Sequence, residues 1–389
     1  MDLYESYIQH DRQRELVKLA GKLANTFSAR AERFDREDAF PFENYSDLKN
    51  SGYVSLSVPK EYGGEEISLY EFVMLQERLA TGDAATALSI GWHLGSLMEL
   101  TESRPWKEEV FKSICTKIVN DKALINRAAT EPATGSPTRG GLPETNAVKT
   151  EKGWVLNGRK TFTSMAKALD YSLVSARLEC TKEKGFFLVD HSLEGVSIDE
   201  TWDTIAMKGT GSDDLVLEDV PLPSSALVER DSNGNDKGGE LPKAWLLHIP
   251  ACYIGVAIAA RNEAIQFAKE YSPNSLPGPI KDVPEVQRKI GEIELELFKA
   301  RQILYSVADK WDKEPEKRVS MAAELASVKH IVTNSAFHIV DTAMRIVGAR
   351  SLFRSNPMQR YYRDVRAGLH NPPMDDMVIS MLARQALGE

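Results

Sequence analysis

The chain has 389 residues, 48 Lys and Arg against 57 Asp and Glu, with 42% hydrophobic and 27% charged residues. That length predicts two or three domains sharing a large core, and a net charge of −9 lacks the basic footprint that nucleic-acid binding needs. The longest apolar run, Ile249 to Ala260, falls short of the roughly 20 residues that span a bilayer. The start, Met1-Asp2-Leu3-Tyr4, has neither the basic residues nor the apolar stretch of a secretory signal. Cys115, Cys180 and Cys252 are scattered and odd in number, so neither a disulfide framework nor a CxxC metal site is on offer. The expectation is a reduced, cytoplasmic protein without membrane, nucleic acid or metal.

From Tyr4 to about Lys117 apolar residues such as Ile8, Leu16, Leu19 and Leu23 recur near the helical period. Turns are expected at Ser51-Gly52-Tyr53 and over Val58-Pro59-Lys60-Glu61-Tyr62-Gly63-Gly64, with a second helical block beginning near Ser68 and running through Glu77 to Leu100. Between about Ala123 and Val228 the pattern changes to short β-type runs, among them Gly153-Trp154-Val155-Leu156 and Gly185-Phe186-Phe187-Leu188-Val189. The polar, glycine-rich stretch Asp231 to Gly239 marks a boundary. Helical patterns then cover roughly 241–272, 283–312, 318–348 and 373–387, long enough to pack as a bundle. The order is α, then β, then α, without βαβ alternation, which disfavours a Rossmann fold.

No GxGxxG opens a helix, and no GxxxxGK[ST], HExxH or GxSxG occurs, so the usual nucleotide, zinc and serine-hydrolase sites are not indicated. His330 and His338 are too widely spaced on one helix to favour a metal pair. Thr130 to Pro137 combines hydroxyls with a Pro-Gly turn and suits a loop that approaches a ligand closely. Gly158 to Ser164 places Phe162 and Ser164 two apart, able to cover and hydrogen-bond one planar group, although a core Phe beside a buried Ser explains the spacing nearly as well.

At these segments the chain resembles the acyl-CoA dehydrogenase superfamily. Val58 to Gly64 is similar to its VPxEYGG turn, Thr130 to Ser136 to TEPxAGS, Gly158 to Ser164 to GxKxWIT, and Glu218 to Pro223 to EDVxVP. Gln287 to Ile290 resembles QxKL, and Arg363-Asp364 the RD before the last active-site segment. The resemblance implies a helical N-terminal domain (1–122), a middle β-barrel (123–230) and a C-terminal four-helix bundle (240–389). It also implies a flavin, FAD or FMN, between barrel and bundle, in a homotetramer. It assigns Thr130 to the flavin pyrimidine, Phe162 to the ring face, Ser164 to the neighbourhood of N5, and Ser136 to the substrate channel.

Two departures bear on the chemistry. Removal of an acyl thioester's α-proton needs a positioned carboxylate, yet the position nine residues after Arg363 is Pro372, and the alternative position on the first bundle helix falls near Trp245. Glu240, Asp375 and Asp376 are the acids nearby, each more simply a solvated or capping residue. The segments that grip the adenosine diphosphate half of FAD are also replaced, with Arg345 in a stretch reading Arg345-Ile346-Val347-Gly348-Ala349-Arg350-Ser351 as the remaining cofactor contact.

Thr210 to Asp214 and Arg366 to His370 resemble the branch that contains dibenzothiophene monooxygenase. There a separate reductase supplies reduced flavin, and oxygen is transferred to a small substrate. That resemblance makes His93, Ser164 and His370 the catalytic candidates, with imidazole suited to proton exchange near neutral pH, and Trp92 a substrate contact. The alternative is an FAD-dependent acyl-CoA dehydrogenase with a relocated carboxylate.

Overall fold

The computed structural model describes residues 3–134, 141–231 and 241–388. Five helices come first: α1 (Asp11–Glu37), α2 (Phe42–Asn50), α3 (Leu69–Ala80), α4 (Ala84–Ser103) and α5 (Glu108–Asp121). Ser68 and Glu71 form a capping box at the start of α3, so two otherwise unpaired N–H groups are satisfied reciprocally. The next two, on Leu69 and Tyr70, donate to the Asp312 carboxylate at 3.1 and 2.9 Å.

The second helical block, expected from near Ser68 through Glu77 to Leu100, is two helices. Asp83 caps α4 by accepting from Thr86 N–H at 3.1 Å. A Cβ at Gly82 would lie 2.0 Å from the Ala24 carbonyl, so the chain turns there against the backbone of α1.

Eight strands follow: β1 (Ile125–Ala128), β2 (Asn146–Thr150), β3 (Gly153–Lys160), β4 (Tyr171–Leu178), β5 (Lys184–Asp190), β6 (Val196–Asp199), β7 (Asp214–Pro223) and β8 (Leu227–Asp231). They form one sheet in the order β6-β7-β3-β2-β4-β5-β8, with β1 also paired to β4. β1 and β2 run parallel to β4, and the remaining pairs are antiparallel. Alternate residues, including Trp154, Leu156, Phe187, Val189, Leu215 and Leu217, share a single core. Among the described residues no ladder joins β6 to β8, the two ends of that order.

The last third contains α6 (His248–Glu270), α7 (Pro284–Lys313), α8 (Ala322–Val347), α9 (Met358–Ala367) and α10 (Asp375–Leu387). The sequence pattern missed α9, whose short run Met358-Gln359-Arg360-Tyr361-Tyr362-Arg363-Asp364 is too charged to show a long apolar stripe. With the turn before it, α6 is long and apolar enough to cross a membrane, but 89% of its most apolar window is buried inside the protein. It lies between α3 and α4 on one side and α7 and α8 on the other, and one core runs from Phe27 and Phe72 through Tyr253 and Ile254 to Trp311 and Val332. Arg301 of α7 donates to Glu77 of α3 at 2.8 Å in that core, with its guanidinium 4.2 Å from the Tyr7 ring. The two helical regions are therefore one packing unit.

Candidate functional site

The residues of the Gly158 to Ser164 segment continue from β3 into an irregular turn. Thr161 N–H donates to the Thr130 carbonyl at 2.9 Å, which sets half-buried Thr130 beside Phe162. The Phe162 ring is 65% exposed and meets the Trp202 ring edge-on at 5.7 Å. Its φ of 55° is left-handed, a conformation disfavoured for side chains with a Cβ by roughly 1–2 kcal/mol. Residues in such conformations persist where the surrounding structure holds them, and they cluster at active sites and ligand clamps.

Behind this ring runs a chain of hydrogen bonds. Thr210 donates to the Met207 carbonyl at 2.9 Å, Ser212 donates to Thr210 Oγ1 at 2.9 Å, and Ser164 Oγ lies 3.0 Å from Ser212 Oγ. Each hydroxyl has one proton, and a carbonyl can only accept. Ser164 must then donate to Ser212, so it presents lone pairs on its other side. Met207 N–H donates to Asp364 of α9 at 2.6 Å, tying the chain to the bundle. Burial raises the Asp364 carboxyl to about 6, against the opposing pull of the Met207 N–H and nearby arginines.

Below the segment, Lys160 and Glu131 are buried as an ion pair, with Lys160 also donating to Ser175 at 3.0 Å. Glu131 accepts further from the amides of Glu144 at 2.6 Å and Thr145 at 3.1 Å. Burial pushes the Lys160 ammonium down to about 8, opposed by Glu131. Burial also works against the Glu131 carboxylate, but Lys160 and the two donors hold it below the usual range. This pair fixes the base of the turn and is not open to a ligand.

His93 is fully buried in α4. Its Nε2 lies 2.8 Å from the Val54 carbonyl and its Nδ1 accepts from Ile125 N–H at 3.0 Å. These partners require the Nε2–H tautomer and leave no ring nitrogen for a ligand. Burial lowers its pKa to about 4, so it is neutral at pH 7. The catalytic role expected for His93 is therefore not what its geometry offers: it ties α4 to Val54 and β1.

His370 is exposed in the turn after α9, where its N–H donates to the Ala367 carbonyl at 2.9 Å. That turn rests on α6 through the Tyr253 hydroxyl, which donates to Asn371 Oδ1 at 2.6 Å. Arg345 is exposed and donates to Asp341 one turn earlier at 2.8 Å. Trp92 is half-buried and packs edge-on against Trp245 and His248. Ser136 lies outside the described residues. Thr130, Phe162 and Ser164 are thus brought together, His93 is withdrawn into the core, and Arg345 is exposed on α8.

Among the described residues no group of three His, Cys, Asp or Glu is arranged to hold a metal ion. The exposed, conformationally fixed Phe162 ring, the lone pairs of Ser164 and the unpaired buried hydroxyl of Thr163 fit a flat aromatic cofactor with polar edges.

The N-terminal, middle and C-terminal domain profiles of the acyl-CoA dehydrogenases match residues 10–103, 126–220 and 247–371. Over 380 residues, 98% of each chain, the sequence is 54% identical to the "Putative acyl-CoA dehydrogenase YdbM" of Bacillus subtilis (strain 168). The chain belongs to the acyl-CoA dehydrogenase family. It is accordingly an enzyme, a flavin-dependent oxidoreductase.

Butyryl-CoA dehydrogenase from Megasphaera elsdenii has the same fold, with a TM-score of 0.86 and 20% identity over the whole of both chains. So does FMN-bound TdsC, a dibenzothiophene monooxygenase from Paenibacillus sp. A11-2, with a TM-score of 0.86 and 22% identity over 96% of this chain and 97% of that one.

The acids considered for the acyl-CoA dehydrogenase base are differently engaged. Asp375 Oδ1 lies 2.9 Å from His330 Nδ1, and its Oδ2 accepts from Asn334 at 3.1 Å. Asp376 is exposed in the first turn of α10, and Glu240 lies outside the described residues. Sequence reasoning passed over Gln76, His248 and the partnering of Ser212. The available signal was the pair Gly91 and Gly95, four apart on one helix, which admits a close neighbour.

Proposed function

We propose that this family member is a two-component flavin monooxygenase, using reduced flavin from a separate reductase and O2 to oxygenate a small apolar or organosulfur substrate. The observation that carries this reading is the replacement of the catalytic acid. The position of the family's base is Pro372, and Trp245, at the alternative position, is buried among aromatic side chains. Thr130, Phe162 and Ser164 would hold the flavin, with Phe162 covering a ring face and Ser164 accepting a hydrogen bond from its polar edge. The bound flavin would supply the two-electron chemistry. His370, exposed at the end of α9, would hold and release the proton that the reaction exchanges with solvent.

The cofactor in this reading is FMN or FAD, and the engagement of Arg345 with Asp341 favours the smaller FMN. A homotetramer and a cytoplasmic location go with it. The first is supported by apolar side chains exposed on α7 and α10, Leu295, Phe298, Ile379 and Leu387, and the second by three free cysteines. The identity to a protein named as an acyl-CoA dehydrogenase favours a second reading, thioester dehydrogenation with a displaced acid. Extracting and identifying the flavin, then comparing reoxidation by O2 with reduction by straight-chain acyl-CoA in the absence of oxygen, separates the two. Rapid anaerobic bleaching by the thioester would overturn the monooxygenase reading.

A further inference from the structure

Three donors meet at the Met207 carbonyl. It accepts from the Thr210 hydroxyl at 2.9 Å, the Thr210 N–H at 3.0 Å and the Trp202 indole N–H at 3.3 Å. Met207 itself is left-handed, with a φ of 53°, and the loop around it is gripped from two helices. Asp364 of α9 takes the Met207 N–H and Arg363 donates to the Ile205 carbonyl. Lys208 reaches the Asp35 carbonyl at 3.2 Å and the Asp38 carboxylate at 2.5 Å, at the end of α1. The amides of Met165 and Ala166 donate to the Thr210 and Gly211 carbonyls at 2.7 and 3.2 Å, so Ser164 is pinned to the same loop.

The hydroxyls of Ser164, Ser212 and Thr210 therefore stand in a fixed row that ends on a carbonyl. Such a row has one allowed polarity, because the carbonyl has no proton to give. Every hydroxyl proton points toward Met207 and away from the Ser164 end. That end is also the most open, with Ser164 9% exposed against 5% for Ser212 and 2% for Thr210.

An isoalloxazine changes its hydrogen-bonding edge with its redox state. Two-electron reduction turns ring nitrogens that only accept into N–H donors, and hydrogen bonds to those nitrogens are a means by which a protein tunes a flavin. A hydroxyl that can only accept is matched by the reduced ring. Against the oxidised ring it sets lone pair to lone pair and leaves both groups unpaired.

We propose that Thr210 and Ser212 are positioning residues that make Ser164 an obligate acceptor, and so bias the site toward reduced flavin. This rests on the placing of Ser164 against the flavin under the proposed function, and is independent of the substrate that the flavin serves.

The two-electron midpoint potential of the FMN-loaded full-length protein, compared with that of free FMN, reads the ratio of affinities for the two redox states. A preference of about tenfold for reduced FMN is expected, equivalent to a rise of about 30 mV. Thr210→Val has nearly the same shape, and its Met207 carbonyl keeps the Thr210 amide and the Trp202 indole. Ser212 then loses its acceptor and can donate to Ser164, whose own proton is freed for the flavin. The preference should fall about tenfold, with tighter binding of oxidised FMN, while Thr210→Ser keeps the parent potential. Ser212→Ala frees the same proton and serves if Thr210→Val does not fold. Ser164→Ala separates this proposal from the reading beneath it. An unchanged potential in Ser164→Ala would take Ser164 away from the flavin and overturn both. A potential lowered by Ser164→Ala but by neither Thr210→Val nor Ser212→Ala, or lowered equally by Thr210→Ser, would overturn the role of Thr210 and Ser212 alone.

Discussion

His93 and His248 are both fully buried beside α4, and both are kept neutral by burial, yet they differ in every hydrogen bond. His93 spends both nitrogens on backbone groups of Val54 and Ile125, whereas His248 has no partner for either. Burial alone therefore does not distinguish a structural histidine from one available to a ligand. The state of its hydrogen bonds does, because a satisfied polar group gains nothing from a new contact and an unsatisfied one gains a full hydrogen bond.

The largest effect separating them is expected from His93→Leu. It leaves a buried carbonyl and a buried N–H unpaired, for a loss of about 4 kcal/mol in denaturant unfolding, while His248→Phe is neutral or stabilising. Equal losses in the two variants would erase the distinction. Acid titration should then show what the two share. Each has a folded pKa below its unfolded value, so its stabilisation is complete above about pH 6.5 and is lost as the pH falls toward about 4 for His93 and about 3 for His248. Between pH 6.5 and 5 the pair should account for about 3 kcal/mol of lost stability, and either substitution should make the slope shallower by close to one proton. A slope unchanged in His248→Phe would show that this ring is already protonated or hydrated in the folded state.

A smaller change is expected at the glycine that separates the two environments. Gly91→Ala places a methyl against His248 Nδ1 and should cost about 2 kcal/mol, recovered in part by adding His248→Ala. A Gly91→Ala variant as stable as its parent would mean that the imidazole moves freely. The smallest effect lies at the sheet. Phe162→Gly removes a left-handed side chain that is mostly solvent-exposed, so the thermal midpoint should rise slightly, for a gain of about 1 kcal/mol, while flavin absorbance in the purified protein falls. Full flavin retention in that variant would remove Phe162 from the cofactor site.

Much of this architecture was legible from pattern. The helical period before Lys117, the β-type runs such as Gly185 to Val189 and the polar stretch after Asp231 report local periodicity, which follows from which face of each element is buried. The nearness of Thr130, Phe162 and Ser164 was legible as well, since they stand in two short segments that a single backbone hydrogen bond joins. The split between α3 and α4 was harder to see, because Gly82 is explained only by the α1 backbone it touches. His93 was misjudged for a related reason: residue type reveals that a side chain can do chemistry, but not whether Val54 and Ile125 already occupy it.

The sequence by itself determined the family and the order of helical and β regions, because each is written in residue type and local spacing. Tertiary structure decided which histidine is satisfied and which is not, the direction of the hydroxyl chain behind Ser164, and the closeness of Gln76 and His248 to Gly91 of α4. Those depend on contacts between residues as far apart as 172 positions in the chain, Gln76 and His248, and hydrogen-bond satisfaction is a property of the packed neighbours rather than of the residue.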